Sequence, residues 1–242
     1  QRPSFHAWVR RRFGPALAEV GLPGQPTDAD DVHRRRAALL GILDDAGDAD
    51  VRRRARELAE LYLANPSAIP PALVRTVLRV AASGGDAPLY DRFVERLGSA
   101  SARPDEYDRF LRALVFFRSP DLVSRTLEYA LSPAVRSQDA PTLVAGLLGS
   151  PWGRDRTWRF LQDRWPELTA KLGVFQGIPG ILGAVGGFCD QATADSIRAF
   201  FANNPVPAAA RVLDQGLERV QTCVAIGRRQ AAPFATWLAA VR

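Results

Sequence analysis

Asp50-Val51-Arg52-Arg53-Arg54-Ala55-Arg56-Glu57-Leu58-Ala59-Glu60-Leu61-Tyr62-Leu63 decides the fold. Val51, Ala55, Leu58, Leu61 and Tyr62 recur at helical spacing, and Arg52, Arg53, Arg54 and Arg56 fall mostly away from that stripe. The aspartate in front suits a helix start, because its carboxylate accepts bonds from free N–H groups and complements the helix dipole. The same arrangement returns at Asp86, Asp121 and Asp155, at intervals of 36, 35 and 34 residues, ahead of Ala87–Leu97, Leu122–Leu131 and Arg156–Leu168. A capped helix start every ~35 residues predicts an α-solenoid of antiparallel helix pairs, a curved wall that contributes surface more readily than chemistry.

Outward from this repeat, Phe5–Val20 reads as an entry helix stopped by the turn-rich Gly21-Leu22-Pro23-Gly24-Gln25-Pro26. Val32–Ala46 follows, with Asp30 or Asp31 as cap and Leu39, Leu40 and Leu43 facing inward. Pro70 and Pro71 suit a first helical turn, where a missing N–H costs nothing. Tyr90, Phe93, Val94 and Leu97 mark an i, i+3, i+4, i+7 face, as do Tyr107, Phe110, Leu111 and Leu114, the latter helix opened by Pro104 and closed by Ser119-Pro120. Trp158, Leu161, Trp165 and Leu168 share one side and should be buried between helices. Leu213, Leu217, Val220 and Val224 define a long late helix, and Phe234–Val241 a closing one. No period-2 run bounded by hairpin turns interrupts the series, so the chain is read as all-α with roughly 14 helices, one helical-repeat domain over 1–242.

Gly177, Gly180, Gly183 and Gly186, followed by Gly187, break the pattern. A phosphate-binding loop would need a Lys-Ser/Thr pair and a strand-turn-helix setting, and both are missing. A helix with a small-residue face packed closely on a neighbour is the better reading.

Hydrophobic residues at 47% and charged residues at 24% are ordinary for a soluble globular protein, and no run of ~18 apolar residues exists to span a membrane. The start, Gln1-Arg2-Pro3-Ser4, has no signal-peptide apolar region. The chain has no Met, which fits an excised piece of something longer. Its net charge of +6 comes from 32 basic residues, all arginine save Lys171, with triplets at Arg10–Arg12, Arg34–Arg36 and Arg52–Arg54. Nucleic-acid capture is one reading of such triplets. Solvated helix faces, diluted by 26 acidic residues and without interleaved aromatics, is the preferred one.

Candidate chemistry is sparse. His6 and His33 stand in neither HExxH nor any other set of metal ligands. Cys189 and Cys223 form no CxxC or Cys/His cluster and are expected as buried small hydrophobes. That usage suits a reducing compartment, and a secreted protein with two buried thiols fits as well. Asp30-Asp31 and Asp44-Asp45 sit at helix boundaries, where capping explains them. No self-contained active site emerges.

From Arg136 onward the residues become specific. Arg136-Ser137-Gln138-Asp139, Gly153-Arg154, Trp158-Arg159-Phe160-Leu161 and Trp165, then Phe200-Phe201, Ala210-Arg211, Gln215, Glu218-Arg219 and Trp237-Leu238 occur in this order. The series resembles the C-terminal helical domain of M1-family zinc aminopeptidases, the region related to endoplasmic reticulum aminopeptidase and aminopeptidase N. Ala59–Tyr62, Ile69-Pro70, Leu73, Gly85-Asp86 and Tyr90-Asp91 extend the resemblance more loosely upstream. The family's Trp near the position of Ile226 is absent.

The resemblance implies a HEAT-like bowl capping the active-site cleft of a longer hydrolase, closing a chamber that admits peptides and moving relative to the catalytic domain of the same polypeptide. It places zinc, the GxMEN motif and the catalytic Tyr in preceding domains, and no cofactor or nucleic-acid partner in this one. Arg136, Arg154 and Arg211 become candidates for holding a peptide's free C-terminal carboxylate, since a guanidinium donates two parallel bonds to a carboxylate. The alternative use of the three is to bond helix ends, or Asp139 and Glu218, with Gln138, Asp139, Trp158 and Glu218 as structural residues of the motif. A stand-alone protein-binding scaffold and a basic nucleic-acid-binding solenoid are the competing readings.

Overall fold

The computed structural model describes residues 1–99, 103–173 and 177–241, and among them it is all-α: thirteen α-helices, two short 3₁₀ turns and no strand. By contact the chain divides into two compact units.

The first unit holds Gln1–Phe117 and the residues from Ala232 onward. Its helices are α1 (Arg2–Val20), α2 (Asp30–Asp45), α3 (Ala49–Ala64), α4 (Pro71–Ser83), α5 (Ala87–Ser99) and α6 (Pro104–Leu114). α1 packs on α2, α3 on α4 and α5 on α6, and α4 also lies against α2 and α6. The core is the set of stripes read from the sequence: Val51, Ala55, Leu58 and Tyr62 are buried, as are Tyr90, Phe93 and Leu97, and Phe110, Leu111 and Leu114. Phe93 meets Phe110 and Phe117 edge-on, with ring centroids 5.1 and 5.6 Å apart. Phe117 fills the space where a side chain at Gly85 would stand, so the turn before α5 needs glycine. Leu61 departs from its stripe and is exposed.

The second unit, Arg118–Ala231, holds α7 (Pro120–Leu131), α8 (Ala140–Leu148), α9 (Arg154–Asp163), α10 (Trp165–Leu172), α11 (Ile178–Ala184) and α12 (Gln191–Asn203). Most of the 31-residue α13 (Ala210–Ala240) belongs here too. α8 is central, packed on α7, α9 and α11.

All four periodic aspartates stand at helix N-termini, in two different ways. Asp86 is a true cap whose Oδ1 accepts from Leu89 N–H at 3.1 Å, and that bond holds its carboxyl below the usual range. Asp50, Asp121 and Asp155 lie two positions past the cap, within the first turns of α3, α7 and α9, where a negative charge still complements the dipole. The cap of α3 is Asp48, accepting from Val51 N–H at 3.0 Å, and α12 is capped in the same way by Asp190. In α2 neither Asp30 nor Asp31 caps; both are first-turn residues behind Ala29.

Three boundaries differ from the sequence reading. Ser119-Pro120 opens α7 rather than closing α6, which ends at Leu114. The long late helix and the closing helix are one, because Pro233 is accommodated inside α13. The glycine segment is a short helix, α11, followed by a 3₁₀ turn at Val185–Gly187. It does pack closely: Gly187 faces Gly149, and Gly183 faces Val212.

Candidate functional site

The arginines show what the charge is for. Arg56 pairs with Asp86, Arg75 with Asp108, Arg79 with Asp45, Arg92 with Glu60, Arg156 with Ser124 and Arg164 with Glu128, each bond joining residues 30 to 36 apart in sequence. That offset is close to the spacing of the periodic aspartates, so the basic side chains tie one helix pair to the next. Single exposed pairs contribute little, but these six recur at the interval of the repeat. Lys171, the lone lysine, turns its ammonium onto the carbonyls of Leu131, Ser132 and Val135 at the end of α7.

Two buried polar groups depart from the sequence reading. Arg36, expected on a solvated face, is only 1% exposed. It donates to Gly21 O at 2.8 Å, to Val20 O and Asp28 Oδ2 at 2.7 Å each, and to His33 Nδ1 at 3.2 Å, clamping the loop between α1 and α2. The loop passes so close to this guanidinium at Gly24, where φ is +81°, that no side chain fits there. Asp44, expected as a boundary cap, is fully buried in the last turn of α2, where its charge opposes the helix dipole. Its Oδ1 instead accepts from Arg52 Nε at 2.7 Å and from Ser83 Oγ, joining α2, α3 and α4. A helical signal for both existed: His33, Arg36, Leu40 and Asp44 share one face at spacings of three and four residues.

The three candidate carboxylate-binding arginines are separated in role. Arg154, at the start of α9, donates from Nη1 to Gly187 O and so fastens the end of the 3₁₀ turn. Arg136 is exposed with its Nε 3.7 Å from Asp139 Oδ2, a pairing inside the turn that leads into α8. Arg211 is exposed on the first turn of α13 and makes no hydrogen bond or ion pair among the described residues. Gln138 is exposed, Asp139 precedes α8 as its half-buried N-cap residue, and Glu218 is exposed on α13. Trp158 and Trp165 are both buried, packed edge-on against Phe200 at 5.5 and 5.7 Å.

Cys189 and Cys223 overturn the expectation of buried thiols. They are joined in a disulfide with Cα atoms 5.3 Å apart, Cys189 exposed and Cys223 half-buried. Thirty-four residues separate them, and no local pattern signals a pairing made by tertiary packing.

Among the described residues no three His, Cys, Asp or Glu side chains are grouped to hold a metal, and the Arg36 bond occupies one ring nitrogen of His33. No helix among them is long and apolar enough to cross a membrane.

The described residues define an all-helical chain of two compact units. Residues 1–222 match the family model of the ERAP1-like C-terminal domain, and the chain belongs to that family. It is 26% identical over 208 residues to aminopeptidase 2, mitochondrial, of Saccharomyces cerevisiae, covering 83% of this chain and 21% of the relative. It is 24% identical over 225 residues to the alanine/arginine aminopeptidase of the same yeast, 92% of this chain and 26% of the relative. Aminopeptidase M1 of Arabidopsis thaliana is 35% identical over 117 residues, 48% of this chain and 13% of the relative. The chain thus spans about a quarter or less of these relatives, and the region they share with it is the C-terminal domain of M1 aminopeptidases, outside the catalytic region.

Proposed function

We propose that this chain serves as the C-terminal, substrate-enclosing domain of an M1 zinc aminopeptidase, while other domains of the same polypeptide hold zinc and cleave the N-terminal residue. The observation that carries this reading is the family match over residues 1–222, joined to aminopeptidases that the chain covers only in part. The ties made by Arg36, Arg52, Arg56, Arg75, Arg79 and Arg92 support a structural use of the basic residues over phosphate capture.

Within this reading Arg211 is the arginine that binds a substrate carboxylate. Arg154 already holds a carbonyl and Arg136 a carboxylate, whereas the fork of Arg211 is open to solvent. In the full polypeptide, Arg211→Ala should lower kcat/KM about fivefold for a peptide with a free C-terminus, corresponding to ~1 kcal/mol for a charge pair at an exposed position. A single-residue anilide, too short to reach α13, should be unaffected, and C-terminal amidation of the peptide should reproduce the substitution. Equal kcat/KM for the free and amidated peptides would remove Arg211 from substrate binding.

A further inference from the structure

We propose that the Cys189–Cys223 disulfide is a redox-sensitive fastener that holds the middle of α13 to the layer formed by α11 and the 3₁₀ turn after it.

One stripe of α13 makes this attachment. Val212 lies against Gly183, and Gly216 fits so closely under Val185 and Leu182 O that a side chain there has no room. Arg219 crosses Gly186 and donates from Nη2 to Gly183 O at 2.6 Å. Cys223 stands one turn further along the same stripe, bonded to Cys189 in the segment between the 3₁₀ turn and α12. Beyond Val220 no residue from Gln221 to Ala231 is buried, and most are exposed. Burial therefore stops holding this stretch of the helix at Val220, and the disulfide supplies the next tie. A helix that buries little surface opens locally at low free energy, so a covalent tie at this point controls how often the stretch opens.

Cys189 is the more exposed of the two residues and Cys223 the half-buried one, which sets the direction of exchange. The thiolate of a reducing dithiol attacks Cys189 Sγ, the S–S bond breaks, and Cys223 departs as a thiolate that takes a proton. The second thiol of the reductant, as its thiolate, then displaces Cys189, which is released and protonated. The reductant ends as its own disulfide. Two electrons and two protons reach the protein. Such bonds persist in oxidising compartments, so the fastened and released states correspond to different surroundings.

The test combines thiol counting with amide hydrogen exchange on the 242-residue chain, without reductant and with dithiothreitol. Unreduced protein should resist alkylation at both cysteines, and reduced protein should take two labels. Reduction should speed exchange of the amides of residues 221–231 about tenfold or more, leaving those of α8 and α9 unchanged. Cys189→Ser removes the bond at the exposed position and should reproduce this pattern without reductant. Two alkylatable thiols in air-oxidised native protein, or identical exchange in oxidised, reduced and Cys189→Ser protein, would overturn the proposal.

Discussion

Trp158→Ala lowers the unfolding free energy by about 3–5 kcal/mol, the range for deleting a large aromatic from a packed core. Trp158 is 6% exposed, meets Phe200 edge-on at 5.5 Å and lies 6.1 Å from Phe201. Trp165 approaches the same two rings at 5.7 and 5.4 Å, so the indole of Trp158 is one wall of a four-ring cluster joining α9, α10 and α12. Its Nε1–H donates to Ser196 Oγ at 3.3 Å, which satisfies the one polar atom brought inside. Alanine leaves a void that the other three rings, locked against each other, cannot collapse to fill. Trp158→Phe keeps a ring there and should cost clearly less. Urea midpoints of the three proteins, with equal m-values, make the comparison. A loss under about 1 kcal/mol for the alanine variant contradicts the packing.

Asp44→Ala is the second large effect, about 3 kcal/mol or more, as expected when one partner of a buried charged pair is removed. The carboxylate has no exposure and holds Arg52 and Ser83 at once, so its loss breaks the junction of α2, α3 and α4. Arg52 also donates from Nη2 to Asp44 O at 3.0 Å, a bond that survives the substitution. Arg52→Ala should be costly for the converse reason, since it leaves a buried carboxylate short of its cation. The double substitution should cost less than the two single losses together, by ~1 kcal/mol or more, because the charge and its partner vanish together. Additive losses in urea unfolding would show that the two side chains are not coupled.

These two sites differ in how readable they are from sequence. The tryptophans were legible because Trp158, Leu161, Trp165 and Leu168 repeat at helical spacing, and the same periodicity exposed most stripes of the core. The aspartate period located the helix starts because a carboxylate is useful throughout the first turn, but it could not separate the cap Asp48 from the first-turn Asp50. Arg36 and Asp44 were hidden by their chemistry: charged side chains are ordinarily solvent-facing, and only their place on the buried face of α2 betrays them. The Cys189–Cys223 bond and the cross-links made by the arginines join residues 30 or more apart, so they follow from stacking that no local window contains. Of the candidate carboxylate site, the resemblance marked three arginines; the structure gives Arg136 and Arg154 partners of their own and leaves Arg211 open.

The central proposal is that this chain serves a larger aminopeptidase and carries none of the chemistry itself. Its most direct test is an aminoacyl-anilide assay of the purified 242-residue chain, with zinc analysis after dialysis, beside the same measurements on the full polypeptide. The account predicts no turnover and no stoichiometric zinc in the chain alone, and both in the full polypeptide. Turnover by the chain alone that survives purification and is abolished by a single substitution within it would contradict the account.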